Sequence, residues 1–406
     1  MKYSEMYNYL KDAVCYDKSM VNLDIASQLI NCDFESHNYK ILPGEEEYVC
    51  KKHNFPIHKG YNYENTMGIP NEILDVHDSE IIENQKFQYH IFKPVKPGKS
   101  NEIILLFHGF NEKHWNKYLP WAKRLLEQTG KTIVLFPIAF HMNRAPHEWS
   151  NRRLMFQESE QRKKNFPNVI CSSLFNAAIS ARLQSKPHRL FWSGLQTFYD
   201  VIQLVEQIRK GNHPVINSEA TIDIFAYSIG SLLAQILLMN NPNGYFTNTK
   251  LCMFCGGAVF NRTSPVSNFI LDSEANVSLY SFVLEHLESH LKKDSRLNHY
   301  LIEHPEGLDF LSMLNFKTMR AAREDKFRKL AKQVLAITLE KDAVMPSYEV
   351  VNTLQGTFRD IPIEIRNLDF PYDYKHEDPF PAIPFLEEKV NSCFDEVFNL
   401  ASGFLK

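Results

Sequence analysis

Five stretches of the chain are apolar almost without a break, and each is only about as long as a strand. They are EIILLFH (102–108), KTIVLFPIAF (131–140), TIDIFA (221–226), KLCMFCGGAVF (250–260) and VLAITLE (334–340). A strand with one wet face alternates apolar and polar residues, so an unbroken run belongs to a strand covered on both faces. Segments with helical spacing separate the runs, at 114–130, 189–210, from Ser228 onward, 347–354 and 384–404. The first of these ends on a glycine stop at Gly130 despite Pro120 inside it. Two further strands are read at 87–92 (FQYHIF) and 361–368 (IPIEIRNL), with a turn-rich connection at 94–100. Strands alternating with helices predict an α/β fold, with a mostly parallel central sheet flanked by helices on both faces. Right-handed crossovers then bring the C-terminal ends of the parallel strands to one rim, where chemistry is expected.

Composition narrows the classes of partner. The chain has 406 residues, 44% of them hydrophobic, enough for a large core. A formal charge of −3 argues against nucleic acid or an anionic membrane as the main partner. No apolar run reaches the roughly 20 residues of a membrane span, and the first residues lack the pattern of a secretory signal. The seven cysteines, an odd number scattered through a long chain, read as reduced thiols. The expectation is a cytoplasmic protein with no integral membrane association; composition leaves the oligomeric state open.

One junction stands out. At 222–238 an alternating strand pattern changes to a dense helical one, and between them lies Ala226-Tyr227-Ser228-Ile229-Gly230. Small residues flank the serine because the turn is tight and the helix returns close to the strand. Such a turn presents the hydroxyl at the top of the sheet, at a helix N-terminus whose N–H groups favour an anion. Three other features sit at strand ends: Leu106-Phe107-His108-Gly109-Phe110, Asp342-Ala343-Val344-Met345-Pro346, and His376 between the last strand and the last helix. Alone, the aspartate reads as a turn former, the histidine as a surface residue and His108-Gly109 as strand punctuation.

Together, and in this order, the four motifs resemble the α/β-hydrolase superfamily of serine esterases and lipases over residues 86–406, with alanine at 226 where glycine is usual. The resemblance implies a nucleophile, Ser228, a base, His376, and an acid, Asp342, with the backbone amides of Phe110 and Ile229 as oxyanion donors. Asp369 and Asp373 are rival acids, but they precede the histidine closely, where the family rarely draws its acid. The resemblance further implies no cofactor and no metal. The expected substrate is a small acyl compound, a carboxylic ester before an amide. The same triad in a peptidase, thioesterase or acyltransferase, or the fold as a non-catalytic binding protein, are the alternatives.

The remaining features read as follows. Residues 1–85 form an N-terminal extension of unclear role, and 86–406 the hydrolase-like domain. Its insertions at 141–187 and 261–330 leave the rim and are expected to roof the site as a cap or lid. His108, Gly109, Tyr227, Asn143, Arg144 and Trp149 are candidate pocket residues, with Arg152 and Arg153 beside them. An arginine such as Arg144 is a candidate for holding a carboxylate or phosphate, against the commoner reading of a surface pair. Cys252 and Cys255 are read as core packing, their spacing on a strand pointing them to opposite faces. His108, His114, His141 and His147 lack metal-ligand spacing, and the basic stretch 317–333 is read as a solvated face.

Overall fold

The computed structural model describes residues 1–44, 48–57 and 74–406. Its strands are β1 (Met20–Asn22), β2 (Ser27–Glu35), β3 (Tyr48–Cys50), β4 (Phe55–Ile57), β5 (Lys86–Pro94), β6 (Ser100–Phe107), β7 (Thr132–Leu135), β8 (Ile216–Tyr227), β9 (Leu251–Phe254), β10 (Val334–Leu339) and β11 (Glu364–Leu368). Nine of them form one sheet in the order β1-β2-β5-β7-β6-β8-β9-β10-β11, while β3 and β4 pair as a separate hairpin. The six strands from β7 to β11 are mutually parallel, and β5 runs against both of its neighbours.

The unbroken apolar runs are explained by a core on each face. Ile103, Leu105, Ile222 and Ile224 point to one side, where helices Arg189–Arg209 and Ile229–Asn240 contribute Val201, Leu204, Ile236 and Leu237. Ile104, Leu106, Ile133 and Phe225 point to the other, against Trp121 and Leu125 of helix Tyr118–Thr129 and Phe394 and Phe398 of helix Glu387–Leu405. The period of two is thus present but invisible in hydropathy, because both phases are buried.

Several boundaries differ from the pattern reading. The run 131–140 is strand only to Leu135: Pro137 has no N–H for the ladder, and Phe140 turns with a φ of 65°. The run 250–260 stops at Phe254, because Cys255 (φ 48°) and Gly257 (φ 119°) turn the chain away. That kink also corrects the expected opposition of the two cysteines, since Cys252 and Cys255 lie in the same core cluster. Pro120 is no interruption: its helix begins at Tyr118, so it sits in the first turn, where an N–H has no intrahelical acceptor.

The N-terminal residues take part in the sheet. β2 pairs with β5 along nine residues, and helix Tyr3–Ala13 packs Tyr3 against Phe394, the rings tilted with centroids 4.7 Å apart. The segment 141–187 carries helices Arg152–Asn165 and Ala177–Ser185, and 261–330 carries a chain of short helices beginning with Ser273–Ser281. A buried, two-pronged ion pair from Arg162 to Asp272 (2.6 and 2.9 Å) joins the two segments. In the basic stretch, Arg323 is buried on the carbonyls of Ser312, Thr318 and Phe316, while Lys326, Arg328 and Lys329 pair with Asp309, Asp360 and Asp325. Among the described residues, no helix is long and apolar enough to cross a membrane.

Candidate active site

β8 ends at Tyr227 and the next helix starts at Ile229, so the whole turn falls on Ser228. Its backbone has φ 54° and ψ −122°, a conformation costly for a residue with a Cβ, by about 1–3 kcal/mol. Two hydrogen bonds hold it: the Ser228 N–H donates to the Phe254 carbonyl (3.2 Å) and its own carbonyl accepts from Ser231 N–H (2.9 Å). Close packing forces the small residues around it. A Cβ on Gly230 would lie 2.7 Å from the His108 carbonyl oxygen and 2.8 Å from that of Phe107. A Cβ on Gly256 would lie 2.1 Å from Ser231 Oγ.

Two loops converge on this hydroxyl. His376 Nε2 lies 2.7 Å from Ser228 Oγ, and His376 Nδ1 lies 2.7 Å from Asp342 Oδ2. The other Asp342 oxygen accepts the N–H groups of Val344 and Met345, each at 2.9 Å. Cys255, past the end of β9, places its buried thiol within 4.8 Å of the same carboxylate. All three members of the array are buried, His376 at 4% exposure and Asp342 at 4%. The two rival aspartates are solvent-exposed, Asp369 being paired with Lys341 at 3.0 Å. Tyr227 props the histidine loop from below: its hydroxyl donates to the His376 carbonyl, and its ring stacks on the imidazole at 5.5 Å.

The amides of Phe110 and Ile229 have no acceptor among the described residues. The Gly109 N–H, by contrast, donates to Tyr118 Oη (2.8 Å), whose hydroxyl donates to Glu112 (2.9 Å). This network fixes the loop and leaves the following amide free. Asn111 adds an outward tie, its side-chain amide donating to the carbonyls of Phe175 and Phe269, one in each inserted segment.

Beside these amides lie two largely apolar pockets that share part of their lining. One is lined by Phe140, Met142, Trp149, Ile179 and Leu183, the other by Ile138, Leu232, Leu233, Phe310 and Leu314. Phe110 and His141 line both, and Ile229 the second. His141 Nδ1 lies 2.9 Å from the Ala139 carbonyl, and burial holds its pKa down at about 4. Lys113, pushed down by burial to about 8, donates to the Trp149 carbonyl at 2.9 Å. Arg182 and Arg189 also line the first pocket but are engaged by Asp78. Burial would raise that carboxyl, yet the two guanidinium groups outweigh it and hold it at about 2.

The expected pocket residues divide. Trp149 lines the pocket, with Arg182 over its ring at 4.1 Å. Arg144 does not: its guanidinium is fully buried on Asp200 (2.7 Å), Asn84 and the Pro137 carbonyl, which leaves it nothing to offer a substrate anion. Asn143 is exposed and donates to the Gln88 carbonyl. His108 is structural as well. Its Nδ1 lies 2.8 Å from the Gly109 carbonyl, its Nε2 accepts from Ile138 N–H at 2.9 Å, and burial holds its pKa well below the usual range. His114 and His147 are exposed and join no cluster with it. Sequence reading took Cys255 for core packing only and passed over Tyr118 and Glu112; only their nearness to the strand-end motifs marks them.

The strand order, with β5 antiparallel beside the parallel array, and the serine at the β8 turn define the α/β-hydrolase fold. The particular family is known as well: the chain belongs to the family of unknown function DUF6051, whose model matches residues 1–406. No curated protein sequence matches the chain. Among solved structures it is similar to carboxyl esterase 2 from the mycorrhizal fungus Tuber melanosporum, at 11% identity and a TM-score of 0.44, with 79% of this chain and 82% of the other covered. It is also similar to a cold-adapted esterase from an Arctic intertidal metagenomic library (9%, TM-score 0.39, 97% and 100% covered). A third is a thermostable esterase from Pseudomonas putida ECU1011 (9%, TM-score 0.40, 79% and 80% covered).

Proposed function

We propose that the protein is a serine hydrolase acting on a carboxylic ester of a small acyl compound. The observation that carries this reading is the unbroken chain of 2.7 Å contacts from Ser228 Oγ through His376 to Asp342. A serine hydroxyl is a weak nucleophile, and an imidazole at this distance removes its proton as the oxygen attacks the carbonyl carbon. Asp342, its second oxygen pinned by two amides, fixes the tautomer that leaves Nε2 free and stabilises the imidazolium that forms. The Phe110 and Ile229 amides then hold the developing oxyanion, a contribution of about 10²–10³ in rate for each donor. His376 returns its proton to the leaving alcohol. Water, activated by the same base, attacks the acyl-enzyme and releases the acid and Ser228.

The apolar lining beside the donors favours an acyl chain there over a charged group. A fluorophosphonate probe tests the nucleophile: labelling of the wild type and none of Ser228→Ala is expected. Turnover of p-nitrophenyl esters should fall by about 10⁴-fold or more in that variant. A folded wild type that takes no label and cleaves no ester, thioester or peptidyl amide overturns the proposal.

A further inference from the structure

Four side chains that play no part in the site above meet on the molecule's other business: Cys50, His53, His299 and His304. Cys50 Sγ lies 3.5 Å from His304 Nε2, His304 Nε2 lies 3.2 Å from His299 Nε2, and His299 Nε2 lies 3.5 Å from His53 Nδ1. The four donor atoms all fall within 4.8 Å of one another. We propose that they bind a structural zinc ion, fastening the β3–β4 hairpin to the segment that roofs the pocket.

Geometry is the first argument. With nitrogens at about 2.0–2.1 Å and a sulfur at about 2.3 Å, a tetrahedral zinc has N–N edges of about 3.3–3.4 Å and S–N edges of about 3.6 Å. The three contacts above are these edges within a few tenths of an ångström.

Lone pairs supply the second argument. His299 Nδ1 lies 2.7 Å from Glu303 and His304 Nδ1 lies 2.9 Å from Glu306. With Nδ1–H donated to its carboxylate, each ring turns the lone pair of Nε2, the ligand atom a metal takes, toward the other ring and toward the sulfur. A carboxylate behind each ligating imidazole is also how metal-bound histidines are oriented and made more basic.

The local backbone fits the same role. Cys50 and His53 are the ends of a tight turn closed by His53 N–H to the Cys50 carbonyl (3.3 Å). β3 and β4 have three residues each, too few to hold a hairpin together unaided. His299 opens a π-helical turn, His299–Glu303, a form that recurs at functional sites. Cys50, His299 and His304 are buried and His53 closes the outer side. One thiolate and three imidazoles in a tetrahedron suit zinc, and four protein ligands leave no open position for catalysis. Sequence reading proposes no metal here, because the two pairs, Cys50/His53 and His299/His304, are separated by the 246 residues from His53 to His299.

The test is elemental analysis of full-length protein purified without chelator. About one zinc per chain is expected, with a loss of tenfold or more in His53→Ala and in Cys50→Ser, both checked for folding by circular dichroism. Chelation should lower the Tm of the wild type and leave that of His53→Ala unmoved. Cobalt(II) added to the metal-free wild type should give thiolate charge-transfer and tetrahedral ligand-field bands, absent in Cys50→Ser. Wild type that holds no zinc and gives no such bands overturns the proposal, as does zinc retained unchanged in both variants.

Discussion

At the scale of single residues, the site depends on a backbone that only its packing can hold. Gly230 is the clearest case, since an added methyl would drive into two carbonyl oxygens at the end of β6. Gly230→Ala is expected to destabilise the fold by about 2 kcal/mol or more and to abolish probe labelling; chemical denaturation and labelling measure the two effects. Asp342→Asn is milder in structure and severe in chemistry. It should leave the fold intact and lower kcat by about 10³–10⁴, because the amide favours the wrong imidazole tautomer. The residues of the candidate array were legible because strand-end chemistry depends on short local motifs in a fixed chain order. The pocket residues were not. Whether an arginine faces a substrate or an internal aspartate depends on Asp200, 56 residues from Arg144, and no local pattern carries that information.

At the scale of elements, the loop that carries His376 leans on a neighbouring strand. Tyr227, the last residue of β8, both stacks on the imidazole and donates to its carbonyl. Tyr227→Phe keeps the stack and removes the donor. Its kcat on an activated ester should fall about tenfold, the equivalent of one hydrogen bond of about 1–1.5 kcal/mol, with Ser228 still labelled. Unchanged kcat would show that the loop is held elsewhere. The central strands were legible through their unbroken apolar runs. Their ends were blurred, because residues 136–140 and 255–260 remain apolar after leaving the ladder, and burial outlasts the strand. β2 was missed for the converse reason: in SQLINCDFE the burial alternates only at its ends and its middle is half-exposed, as suits a strand next to the sheet's edge.

At the scale of the whole molecule, the buried histidines tie stability to pH. Burial lowers His90 and His188 to about 3 and His141 and His213 to about 4, so the folded state keeps them neutral. The unfolded chain takes up their protons near pH 6.5, the ordinary value. Their folded pKa values being depressed, the stability they confer is complete above pH 6.5 and is lost as pH falls toward 4. Each group lowers stability by up to about 1.4 kcal/mol per pH unit across that window. A Tm that declines steadily from pH 7 to pH 5, measured in chelator so that the metal-free protein is compared with itself, is the expected result; a flat profile would contradict it.

The side chain of Asn111 has one more consequence. It donates to the carbonyls of Phe175 and Phe269, on the two inserted segments that are the flaps of the proposed cover, and its own backbone adjoins the amide proposed to receive the developing charge. The flaps are also locked to each other through Arg162 and Asp272. On the proposed function, parting these segments for a guest would break the Asn111 bonds next to the Phe110 peptide, so entry would compete with the grip on the oxyanion.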